Sequence, residues 1–74
     1  MRLTRSPMKG WEYADGQFRW ELSIPNGPEL KVEKEMGGSG LIVYGVYVDG
    51  RRVQESHSHL GGIYMAEDHA SGLT

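Results

Sequence analysis

Glu55, His57 and His59 occupy alternate positions in a polar stretch of the chain. On a β-strand, alternate side chains project from one face, so these three are expected to point together. Two neutral imidazoles and a carboxylate can ligate zinc or a similar divalent ion, and Glu67, Asp68 or His69 can supply a fourth ligand from the C-terminal stretch. The competing reading is a row of solvent-facing residues on a polar strand. Ser56 and Ser58 lie between the same histidines. A Ser/His/Asp machine, however, needs side chains converging from separate elements beside an oxyanion hole, and sequence neighbours do not provide that.

A second set suits nucleic acid. Arg19, Arg51 and Arg52, together with a basic start carrying Arg2, Arg5 and Lys9, can meet phosphates, while Trp11, Trp20 and Tyr44 offer stacking platforms. Against this set stands an acidic body, because all ten carboxylates follow the basic start and the net charge is -2. Gly37-Gly38-Ser39-Gly40 lacks the lysine of a phosphate-cradling P-loop and reads as a hairpin loop. The His57-x-His59 spacing resembles the opening of cupin metal sites, but the glutamate expected a few residues later is missing. The order of hairpins followed by a helix resembles double-stranded RNA-binding domains, whose lysine-rich second helix start is replaced here by Gly61, Gly62 and Ile63.

The elements that must position these residues are legible from turns. Asp15-Gly16, Pro25-Asn26-Gly27-Pro28, Gly37 to Gly40, Asp49-Gly50 and Gly61-Gly62 separate runs of strand length. Phe18, Trp20, Leu22 and Ile24 alternate with polar residues, giving one core face and one wet face. A two-residue Asp15-Gly16 turn is expected to join Trp11–Ala14 to Gln17–Ile24. A three-residue Pro25-Asn26-Gly27 loop, with Gly27 left-handed, pairs Leu22 with Leu30 and Trp20 with Val32 and keeps the apolar face continuous. Leu41 to Val48 is apolar on both faces, as in a strand covered from two sides. A two-residue Asp49-Gly50 turn then pairs Val46 with Val53 and Tyr44 with Glu55. The polar strand so formed belongs near an edge.

Two readings fit the C-terminal stretch. Leu60-Gly61-Gly62-Ile63 suits another hairpin leading to a strand over Ile63 to Ala66; alternatively Leu60, Ile63, Ala66 and Ala70 line one face of a helix stopped by Gly72. Two glycines in the first turn weaken the helix by roughly 1 kcal/mol each but leave room for a start at Ile63. The helix is preferred, because an apolar sheet face needs a cover.

At 74 residues the chain makes one domain, close to the lower size for a self-sufficient core. Without cysteine it has no disulfide, thiolate metal site or catalytic thiol, and a cytoplasmic setting is expected. The basic start lacks the apolar run of a signal peptide, and no membrane span is expected. The expected organisation is a flexible basic arm over residues 1–9 and a single mainly β domain over 10–74. That domain is a small antiparallel sheet of about five hairpin-connected strands in a meander, covered by a short C-terminal helix.

Function is expected to lie in binding, with no cofactor and no catalysis. Phe18, Trp20, Leu22, Leu30, Val32, Leu41, Val43 and Tyr47 are expected to form the core face. Ile42, Tyr44, Val46, Val48 and Val53 then form a second apolar patch within a charged rim, suited to a larger protein or to a second copy of the chain unless the C-terminal segment buries it. Single domains of this size without cofactor motifs also include accessory and inhibitory proteins of viruses and mobile elements. A nucleic-acid module using the basic arm, Arg51 and Arg52 is the alternative.

Overall fold

The computed structural model describes residues 6–14 and 18–72. Five antiparallel strands lie side by side in chain order: β1 (Glu12–Ala14), β2 (Arg19–Ser23), β3 (Glu29–Met36), β4 (Ile42–Val48) and β5 (Arg51–Ser56). Helix α1 (His59–Ala70) follows and packs on β3, β4 and β5. The expected meander with one covering helix is the architecture found. No helix among the described residues is long and apolar enough to cross a membrane.

Turn chemistry sets the strand pairing. Leu22 pairs with Leu30 and Trp20 with Val32, the expected register. The left-handed residue of that loop is Asn26 (φ 58), not Gly27. Gly27 instead allows a close approach, since a Cβ there would lie 2.8 Å from Ile24 Cγ2. Asp49 (φ 53) and Gly50 (φ 81) both adopt the left-handed conformation, as a two-residue hairpin turn requires. Asp49 also accepts the Glu29 N–H at 3.0 Å and donates its own to Glu29 O at 2.8 Å, tying this turn to the start of β3. The expected Asp15-Gly16 turn lies outside the described residues, as do Arg2 and Arg5. Ala14 pairs with Arg19, however, where a two-residue loop would pair it with Gln17.

Two registers differ from expectation. Val32 pairs with Val46 and Leu30 with Val48, so Tyr44, Val46 and Val48 share the core face, while Val43 and Tyr47 lie on the opposite one. Five residues, 37–41, connect the pair Met36 and Ile42, and an odd-length connection of this kind exchanges the two faces of β4 relative to the assignment expected from its pattern. β4 is therefore covered by the helix on one face only. Between β4 and β5 the ladder begins as expected at Val48 and Arg51, then a bulge intervenes. Val46 pairs with Gln54 and Tyr44 with Ser56, leaving Val53 as the extra residue.

The core comprises Trp20, Leu22, Leu30, Val32, Val46, Ile63 and Ala66. Phe18 and Leu41, expected within it, are exposed, and Val43 is buried outside this cluster. The helix starts four residues before Ile63 because Ser58 caps it: the Ser58 hydroxyl accepts the Gly61 N–H at 3.1 Å. Its two glycines serve packing. A Cβ on Gly61 would lie 2.7 Å from Ser56 Oγ, and one on Gly62 would lie 2.9 Å from Val32 Cγ1. At the other end Gly72 (φ 76) donates to His69 O, the expected stop.

Candidate functional site

Glu55, His57 and His59 do not converge. β5 ends at Ser56 and the Ser58 cap turns the chain into α1, so only Glu55 of the three is on a strand. Glu55 pairs with Gly45 on the face away from the helix, whereas the His59 ring stacks on Trp20, with centroids 5.0 Å apart and planes 10° from parallel. No group of three metal-ligating side chains occurs among the described residues. The Ser58 cap falls inside the alternating pattern and ends the strand before His57 and His59.

The expected apolar patch is largely core. Val46 is fully buried beneath α1, and Tyr44, Val48 and Val53 are half-buried against the same cluster. Only Ile42 is exposed. The helix covers this face because the β4 register turns it inward.

Of the arginines, Arg19 lies 2.9 Å from Glu21. Arg52 reaches Glu35 at 3.1 Å and Glu55 at 2.9 Å. These carboxylates occupy the positions that phosphates would take. Arg51 remains exposed on the helix side, opposite Val48.

Two polar arrangements escaped the sequence reading. On the open face of the sheet, Glu35 accepts from the Tyr47 hydroxyl and from Arg52, joining β3, β4 and β5. Its carboxyl lies over Gly45, where a Cβ would come within 2.5 Å of Glu35 Oε2. The hydrogen bond to Glu35, followed by burial, raises the Tyr47 pKa above the ordinary tyrosine value. Lys31 completes the group with its ammonium 4.4 Å from the Tyr47 ring centre. A glycine inside an apolar strand was the available signal.

The other arrangement is at Glu67, a carboxylate buried to 5% exposure on the inner face of α1. It accepts the Met8 N–H at 2.7 Å and Trp11 Nε1–H at 2.9 Å. Met8, within the expected flexible arm over residues 1–9, is thereby hydrogen-bonded to the helix. An acid within the apolar stripe Ile63, Ala66 and Ala70 was the sequence signal for it.

Exposed apolar side chains collect at the end of the sheet where α1 begins. Met36 (73% exposed) and Ile42 (48%) are direct cross-strand partners on the helix side. Phe18 (53%) belongs to this end, since Lys34 holds its ammonium 5.0 Å from the Phe18 ring centre and pairs across the sheet with Tyr44. Tyr13 meets Trp20 edge-on at 5.8 Å, and Trp20 in turn meets Tyr44 and His59. Leu60 stands exposed in the first helical turn. Beneath them, the buried Trp20 indole N–H has no acceptor among the described residues. A groove of about 250 Å³ at the far end of β2 and β3 is lined by Glu21, Ser23, Glu29, Lys31 and Gly50, without a histidine.

Comparison with protein-family models, with curated proteins and with solved structures yielded no match.

Proposed function

We propose that this chain is a small, non-catalytic binding protein that docks to a larger protein through the apolar end around the start of α1. The observation that carries this reading is the Met36 and Ile42 pair, two large aliphatic side chains exposed side by side on adjacent strands. With Phe18 and Tyr44 nearby across Lys34, they make the kind of apolar centre with aromatic neighbours that partner surfaces use. In this reading the expected contact residues Ile42 and Tyr44 take part in docking, whereas Val46 lies in the core and Val48 and Val53 pack against it. A cytoplasmic setting is part of the reading, supported by the absence of cysteine.

The test is affinity capture from a lysate of the source cell with wild type and the Ile42→Asp variant, each with and without nuclease. A stoichiometric protein retained after nuclease treatment by wild type and lost with folded Ile42→Asp supports docking at this end. Retention that disappears on nuclease treatment points to nucleic acid instead. If wild type elutes as a dimer and Ile42→Asp as a monomer, the surface joins two copies of the chain.

A further inference from the structure

Resting on that docking reading, we propose that the end around the start of α1 receives an acidic, apolar peptide segment of the partner protein. The two faces of the sheet differ in charge at this end. Register places Glu33, Glu35 and Glu55 on the face away from the helix. The titratable groups that register and ring contacts place on the helix side of this end, among the described residues, are the half-buried Tyr44 of β4, exposed Tyr13 of β1, Lys34 of β3 and exposed His59. None of them is a carboxylate. The first turn of α1 contains no acid either.

Two features fix positive potential beside the apolar side chains. Lys34 is oriented over Phe18 and makes no ion pair among the described residues, so its ammonium remains available to an incoming carboxylate. Ser58 satisfies the Gly61 N–H and the first helical bond runs from Gly62 to Ser58 O, which leaves the N–H groups of His59 and Leu60 at the open helix end. An apolar side chain set against Phe18, Met36 and Ile42 would bring a flanking carboxylate within reach of these donors.

A nucleic-acid strand fits this end less well. The exposed pair at its centre, Met36 and Ile42, is aliphatic, and Arg19 and Arg52, which would meet phosphates, project from the opposite face in ion pairs.

The probe is a displayed library of random short peptides, selected against the full chain and, in parallel, against Ile42→Asp and Lys34→Glu. The expected result is enrichment of sequences with Asp or Glu flanking an apolar residue. Their binding should be lost with Ile42→Asp, fall about tenfold with Lys34→Glu and weaken with salt. Peptides that depend on Ile42 but show no acidic enrichment, or that bind Lys34→Glu equally well, overturn the acidic assignment and leave docking standing. Recovery of no Ile42-dependent peptide, or displacement of the selected peptides by a random single-stranded oligonucleotide, overturns both. Circular dichroism of each variant, with its urea midpoint, separates lost binding from lost folding.

Discussion

Gly62 lies directly against Val32. A Cβ at Gly62 would stand 2.9 Å from Val32 Cγ1, closer than two carbon atoms can approach without one moving, and Val32 is fully buried. The residue that weakens the helix locally is the one that lets it reach the sheet.

Gly62→Ala should therefore destabilise the protein, although alanine is the better helix former by about 1 kcal/mol. Overpacking a stiff, buried valine is expected to outweigh that gain and leave a net loss of about 1–3 kcal/mol in urea unfolding. Adding Val32→Ala should make the Gly62→Ala change less harmful than it is in wild type. A variant as stable as wild type would show that the helix can lift off the sheet at no cost.

Removing the buried acceptor should loosen the N-terminal segment. Glu67→Ala leaves the Met8 and Trp11 donors without their carboxylate and is expected to cost about 1.5–3 kcal/mol per bond to a charged group, less whatever water restores. Glu67→Gln keeps an acceptor oxygen and should lose less. Hydrogen exchange at the Met8 amide reports the local effect directly.

Met36→Asp and Val46→Asp separate surface from core. The first, at a residue 73% exposed, should shift stability by no more than about 0.5 kcal/mol while weakening partner capture. The second buries a carboxylate where Val46 has no exposure and should abolish cooperative folding. Equal unfolding of both in thermal melts would place Met36 in the core.

Alkaline pH should act through Tyr47. Its pKa is raised, first by the hydrogen bond to Glu35 and then by burial, so the folded protein holds this proton to higher pH than the unfolded chain does. The resulting stabilisation is fully present below the unfolded value of about 10 and is lost as pH rises through the folded one. Tyrosinate absorbance followed against pH should show one late ionisation that disappears in Tyr47→Phe and moves downward in Glu35→Gln. An unmoved step in Glu35→Gln would remove Glu35 as its cause.

The meander was legible because turn residues and alternation act locally. Asp49-Gly50 specifies its own turn, and the alternation of Trp20 and Leu22 specifies its own core face. The faces of β4 were not legible: LIVYGVYV is apolar on both sides, so only the five-residue connection at 37–41 decides which side meets the helix. That choice transferred Val46 from a supposed surface to the core and left Met36 and Ile42 as the exposed pair. The Glu55, His57 and His59 motif failed for a similar reason, because Ser58 can continue a strand or cap a helix with equal ease. Glu67 and Trp11 are 56 positions apart, beyond any pattern that periodicity can detect.

That separation bears on how the chain is made. Trp11 leaves the ribosome long before Glu67, and its indole N–H has no carboxylate to bind until α1 has emerged and settled on the sheet. Until α1 has docked, Trp11 and the apolar residues Val32 and Val46 on the helix side of β3 and β4 lack their cover. A chaperone would meet that apolar face in any folding route that forms the sheet before the helix docks.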